Sequence, residues 1–63
     1  MTKEQKIDWL ANATNEGLVR QFETSARWAD DPFTYAKNMN YSVEEIFEDY
    51  ELVRAEILKR MAK

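Results

Sequence analysis

Histidine and cysteine are both absent from this sequence of 63 residues, which also contains a single glycine and a single proline. Histidine is the most frequent general base near neutral pH, cysteine is a strong nucleophile there, and the two are the usual zinc ligands. A chain this short also has little room for a substrate pocket. We therefore expect that the protein is not an enzyme and that it binds no cofactor or metal ion.

The sequence also lacks long apolar runs. No segment approaches the roughly 18 apolar residues that mark a membrane-spanning helix, and no basic start leads into an apolar segment of the kind found in signal peptides. We expect a soluble, cytoplasmic protein.

Apolar residues nevertheless make up 44% of the chain, and the aromatic residues are two Trp, three Tyr and three Phe. This content is too high for a disordered acidic segment, so we expect residues 1–63 to fold as one small domain. A single core at this size supplies only about 3 to 5 kcal/mol of stability. Stability must therefore come from well-packed helices, from a partner or from self-association.

Two capping signals place the first two helices. Thr2 and Gln5 have the spacing of a capping box, which predicts a helix over residues 3–12. Thr14 is a suitable N-cap for a second helix over residues 15–29, where apolar residues recur at helical spacing. The predicted apolar stripes are Ile7, Leu10 and Ala11 in the first helix and Leu18, Val19, Phe22, Ala26 and Ala29 in the second.

The last helix carries the clearest signal in the chain. Ser42 and Glu45 have the spacing of a second capping box, which predicts a helix over residues 43–62. Before it, Pro32 at a first helical position predicts a short helical turn over residues 32–37. The apolar stripe of the last helix comprises Val43, Ile46, Phe47, Tyr50, Val53, Ile57, Leu58 and Met61. The sequence thus predicts an all-α fold, a small three-helix bundle with a short extra helical turn before the long C-terminal helix.

Charge is distributed unevenly along the chain. The formal net charge is −3, but residues 30–51 carry −6 and residues 52–63 carry +3. This polarity complements the macrodipole of the last helix, which favours acids at its start and bases at its end. Alternatively, the acids form a negative face that binds a basic partner or imitates nucleic-acid phosphates. The acids of that face are Glu44, Glu45, Glu48 and Asp49, together with Glu51, Asp30 and Asp31.

Three large apolar residues fall outside the predicted stripes. Trp9 and Trp28 lie away from the stripes of the first two helices, and Leu52 projects from the charged face of the last one. Either the short elements cover these side chains, or the side chains form a surface for a partner protein or a second copy of the chain. Arg54 is the opposite case, because it falls within an apolar stripe, where it either reaches water or pairs with a carboxylate.

Two segments carry a resemblance to a known group of proteins. They are Thr14–Glu23 (TNEGLVRQFE) and, after an aromatic loop, Tyr50–Lys63 (YELVRAEILKRMAK). Over about two fifths of the chain they resemble the very small helical proteins encoded by phages and prophages of Gram-positive bacteria. The resemblance implies a role in binding a host or phage protein and altering its activity, and it supplies no functional residues.

The sequence therefore predicts a small acidic module that binds a protein stoichiometrically through Trp9, Trp28, Leu52 and the acidic face, and that is compatible with a homodimer. The alternative is an accessory protein in nucleic-acid transactions, which acts by phosphate mimicry or by contact through the basic residues 54–63. Direct nucleic-acid binding is the weaker hypothesis, because the start of the last helix would present acids to phosphates.

Overall fold

The computed structural model describes residues 2–62 as four α-helices with no strand in that range. The helices are α1 (Lys3–Asn12), α2 (Asn15–Asp30), α3 (Pro32–Met39) and α4 (Val43–Met61). The all-α fold and the three long helices are confirmed. The predicted short turn is a complete helix of eight residues, and Lys63 lies outside the described residues.

The predicted capping residues occupy the N-cap positions of α1, α2 and α4. At α1 the Gln5 N–H donates to Thr2 Oγ1 at 3.1 Å, and the Thr2 N–H donates to Gln5 Oε1 at 2.9 Å. Thr14 accepts a backbone N–H at the start of α2 in the same way. At α4 the Glu45 N–H donates to Ser42 Oγ at 3.1 Å, but the Glu45 carboxylate accepts from the Ser42 hydroxyl, at 3.2 Å. These local bonds fix the helix starts.

The chain reverses between α3 and α4 at Asn40. This residue has φ 59° and ψ 38°, the left-handed conformation that commonly ends a helix and that Asn adopts more readily than most residues. The N–H groups of Asn40 and Tyr41 both donate to the Ala36 carbonyl, the latter at 3.1 Å. The turn brings the start of α4 back against α2.

The interior of the protein lies between α1, α2 and α4 and is small. Its centre is a cluster of three buried residues, with three partly buried residues packed around it. The cluster consists of Leu10, Leu18 and Val53, and the surrounding residues are Phe22, Leu52 and Ile57. The prediction that Leu52 projects from a charged face is therefore wrong, because α1 lies over that flank of α4 and Leu52 packs against the cluster.

On both long helices the buried arc is rotated towards one edge of the predicted apolar stripe, so only part of the stripe is buried. On α2, Leu18 and Ser25 are buried, whereas Val19 is 52% exposed. On α4, Ile46 and Val53 are buried, whereas three residues of the stripe remain exposed, namely Phe47, Leu58 and Met61. The rotation arises because α1 packs against the more polar flank of α4, so residues on that flank are buried in place of residues on the far edge of the stripe. The opposite flank of the α2–α4 pair keeps an uncovered apolar strip.

The side chain of Arg60 joins the end of α4 to the junction between α1 and α2. Its Nη2 donates to the carbonyls of Leu10 at 3.0 Å and Ala13 at 2.8 Å, and its Nη1 donates to Asn15 Oδ1 at 2.7 Å. Its Nε donates to Glu56 Oε2 at 3.0 Å. The last turn of α1 contains no basic residue and its C-cap is extended. The guanidinium therefore supplies a donor to the Ala13 carbonyl and a second donor to the Leu10 carbonyl, which also accepts the Ala13 N–H at 3.3 Å.

The shape of the molecule is elongated and open. Its principal extents are 37 × 21 × 16 Å and its radius of gyration is 11.7 Å, against about 10.6 Å for a compact domain of this length. Its accessible surface is 4,923 Å², against about 4,200 Å² for a globular monomer of this mass. The excess agrees with the uncovered strip on the α2–α4 pair.

Replacing Arg60 with methionine should lower the free energy of unfolding by about 2 to 4 kcal/mol, because it leaves the Ala13 carbonyl and the Glu56 carboxylate without their partner and removes one of the two donors to the Leu10 carbonyl. The Glu56 side chain is only 15% exposed, so water replaces that partner poorly. Urea unfolding followed by far-UV circular dichroism measures the loss. A variant that is already unfolded without urea meets the same expectation.

Arg20→Met is the matched control for this substitution. Arg20 also forms an ion pair four residues apart on a helix, with Glu16 at 3.3 Å, but the two side chains are 78% and 80% exposed. Such a surface pair contributes at most about 0.5 kcal/mol. Equal losses for the two variants would contradict the assignment of Arg60 as the link between α4 and the α1–α2 junction.

Candidate functional site

Helix α1 presents Trp9 to solvent beside an open groove. The indole is 44% exposed, because Leu10 is the one buried residue of α1 and each residue turns the side chain by about 100° around the helix. The groove between α1 and the start of α2 has a volume of ≈ 630 Å³. Besides Trp9 it is lined by Gln5, Asp8, Asn12, Ala13, Thr14 and Gly17. We call this site the Trp9 groove.

The Trp9 groove combines an aromatic face with small and polar residues. Ala13 and Gly17 leave space next to the indole. The Asn12 amide donates to the Asp8 carbonyl at 2.9 Å, which holds the amide at the edge of the groove. Lys6 Nζ lies 5.9 Å from the Trp9 ring centroid, within the range of a cation–π interaction. An exposed aromatic side chain next to polar groups is a common feature of protein-binding surfaces.

Trp28 and Leu52, the other two residues predicted to bind a partner, instead pack against other residues of the same chain. The Trp28 ring stacks on Tyr35, with centroids 5.3 Å apart and an interplanar angle of 11°. It also packs at 52° against Tyr41, 5.5 Å away. This cluster ties α2 to α3 and to the residues before α4, while Leu52 packs against the core. Trp9 is therefore the member of this trio that remains most accessible to a partner.

The acidic residues at the start of α4 lie beside two lysines of α1. Lys3 and Lys6 line a cleft together with three acids of the predicted face, which are Glu45, Glu48 and Asp49; Glu44 is exposed. Positive charges at this position weaken the negative potential that the acids produce at a distance. The predicted acidic face is thus not an isolated negative patch.

The two arginines of α4, Arg54 and Arg60, have different roles. Arg54 is exposed and forms no ion pair within residues 2–62, which agrees with the prediction that it reaches water. Arg60 instead makes the structural contacts, and sequence reasoning missed it. Glu56, four residues before Arg60, was the available signal, since that spacing allows an ion pair on one helix.

Comparison with known proteins assigns no family to the chain, because no protein-family model, curated protein or solved structure matches it. Over the part of the chain that the structure describes, no helix is both long enough and apolar enough to cross a bilayer. Within the same residues, no three acidic side chains are grouped so that they could hold a metal ion. The surfaces of the four helices are therefore the features that bear on function.

The two tryptophans should differ in their access to solvent. Trp28→Phe leaves Trp9 as the one fluorophore, and we expect red-shifted emission and strong quenching by acrylamide. Trp9→Phe leaves Trp28 within its aromatic cluster, so the emission should be bluer and the quenching weaker. Trp28→Phe should also cost about 1 kcal/mol of stability, because the stack on Tyr35 is disturbed. The reverse order of quenching would exclude Trp9 as the accessible indole.

Proposed function

We propose that the protein is a small, non-enzymatic interaction module that binds another protein stoichiometrically through the Trp9 groove. The observation that carries the proposal is the half-exposed indole of Trp9 on the edge of a groove, on a helix that buries one residue of its own. Tryptophan is enriched among the residues that contribute most to binding energy, and its exposure in a monomer leaves a large apolar surface unpaired.

The groups around Trp9 indicate the chemistry of the partner. The indole favours an apolar or aromatic side chain, and the space beside Ala13 and Gly17 admits one. The Asp8 carboxylate is a hydrogen-bond acceptor, so a backbone N–H, an amide or a basic group of the partner fits next to it. We expect a partner segment with one large apolar residue flanked by hydrogen-bond donors.

The resemblance to small phage and prophage proteins favours a host or phage protein as the partner and the cytoplasm as the place of action. The acids at the start of α4 contribute little to the proposed surface, because Lys3 and Lys6 lie among them. The nucleic-acid alternative draws no support from the site. Arg60, a member of the basic segment on which it depends, is occupied by internal hydrogen bonds.

Affinity capture from cells of the natural host tests the proposal, with Trp9→Ser as the binding variant and Phe33→Ser as the matched control. Phe33 is also an exposed aromatic residue, at 76%, but it lies on α3 and does not line the groove. We expect one protein to be retained by the wild type and by Phe33→Ser, and to be lost with Trp9→Ser. Titration calorimetry with that purified protein should give a 1:1 ratio of protomers and an affinity at least about thirtyfold weaker for Trp9→Ser.

Circular dichroism provides the control for folding, because Trp9 is half-exposed and its replacement should leave the helix content unchanged. A protein that binds the wild type and Trp9→Ser with equal affinity would show that the groove is not the binding site. Retention of nucleic acid with an affinity that falls steeply with salt would instead support the alternative function.

A further inference from the structure

The exposed side of α4 has the residue spacing of a coiled-coil seam. Six exposed residues follow one another at alternating intervals of three and four, and on an α-helix they fall within an arc of about 100°. They are Glu44, Phe47, Glu51, Arg54, Leu58 and Met61. We call this row the α4 seam. Alternation of three and four is the pattern by which one helix packs along another.

We propose that the α4 seam binds the α4 seam of a second copy of this chain in an antiparallel direction, around a twofold axis at the middle of α4. In this register, Phe47 of each copy faces Leu58 of the other, and Glu44 faces Met61. Phe47 and Leu58 are 45% and 46% exposed in one copy, so the pairing buries apolar surface that the monomer leaves in water.

Charge complementarity favours a second copy of the chain as the partner of the α4 seam, and it favours the antiparallel orientation. The two central positions of the seam are Glu51 and Arg54, and neither forms an ion pair within residues 2–62. In the antiparallel register Glu51 of each copy faces Arg54 of the other, which gives two reciprocal ion pairs. In a parallel arrangement, Glu51 of one copy would face Glu51 of the other, and Arg54 would face Arg54. Like charges at facing positions oppose association.

The groove between α2 and α4 provides space for the Phe47 ring of the second copy. It has a volume of ≈ 260 Å³ and includes Val19, which is 52% exposed, and Ile57, the residue before Leu58. Because Phe47 of the second copy faces Leu58, its ring reaches this groove. On the other side of the seam, Ala55 is exposed and small, so it permits close approach of the two helices.

The area of the face indicates a dimer in exchange with its monomer. The 19 residues of α4 give a length of about 27 Å, and two helices are about 20 Å across, so the face covers about 540 Å² per copy. A standard stable interface buries about 800 Å² per partner, and smaller ones are typically transient. We therefore expect a dissociation constant in the micromolar range.

Sedimentation equilibrium from about 10 µM to 1 mM protein tests the inference over the range in which such a dimer dissociates. The wild type should form a dimer, and Leu58→Asp should remain a monomer. Glu51→Arg and Arg54→Glu should each weaken the dimer at least about tenfold, because each creates two like-charge contacts. The double variant Glu51→Arg/Arg54→Glu should recover the wild-type association, because the basic side chain at position 51 of each copy then faces the acidic side chain at position 54 of the other.

Lys37→Glu on α3 is the matched control, since it reverses an exposed charge outside the seam and should leave association unchanged. A wild type that stays monomeric at 1 mM, or a Leu58→Asp variant that still dimerises, would overturn the inference. Loss of the dimer in both single charge variants without recovery in the double variant would overturn the antiparallel register. Trp9→Ser should dimerise like the wild type, which separates this test from that of the Trp9 groove.

Discussion

The position of α1 against α2 and α4 depends on the contacts of the Arg60 guanidinium. Helix α1 buries a single residue, Leu10, whose burial contributes about 1.5 to 3 kcal/mol. Arg60 supplies charge-assisted hydrogen bonds to the end of α1, to the loop and to the start of α2. The contacts of Arg60 and the burial of Leu10 together hold α1 in its place.

The position of α1 in turn decides which flank of the α2–α4 pair is covered. A helix of ten residues can cover one flank, and Arg60 and Glu56 hold it on the side where Leu52 points. On that flank the indole of Trp9 comes to the edge of the groove next to α2. On the other flank the seam of α4 stays exposed. Both candidate surfaces are therefore consequences of the same placement.

The helix boundaries could be predicted closely because the signals that set them act within a few residues. The N-caps Thr2, Thr14 and Ser42 each bond a backbone N–H three residues along the chain. The buried arc could not be predicted in this way, because the apolar stripe of α4 spans about 140° and a packed helix needs only part of it. Which part of the stripe is buried depends on contacts between residues 45 to 50 positions apart in the sequence. The same limit explains why the sequence left the burial of Trp28 open, since its partners Tyr35 and Tyr41 lie on α3 and in the loop before α4.

The Trp9 groove is lined by residues between Gln5 and Gly17, and none of them belongs to the α4 seam, so occupation of one surface leaves the residues of the other free. In the antiparallel dimer, each copy would keep its own Trp9 groove on the outside. A monovalent partner would then bind monomer and dimer with equal intrinsic affinity, because no groove residue belongs to the seam. A partner with two sites would gain from the effective concentration of the second groove, provided that its sites span the dimer. Self-association would therefore act on binding through avidity, and its influence would grow with the concentration of the protein.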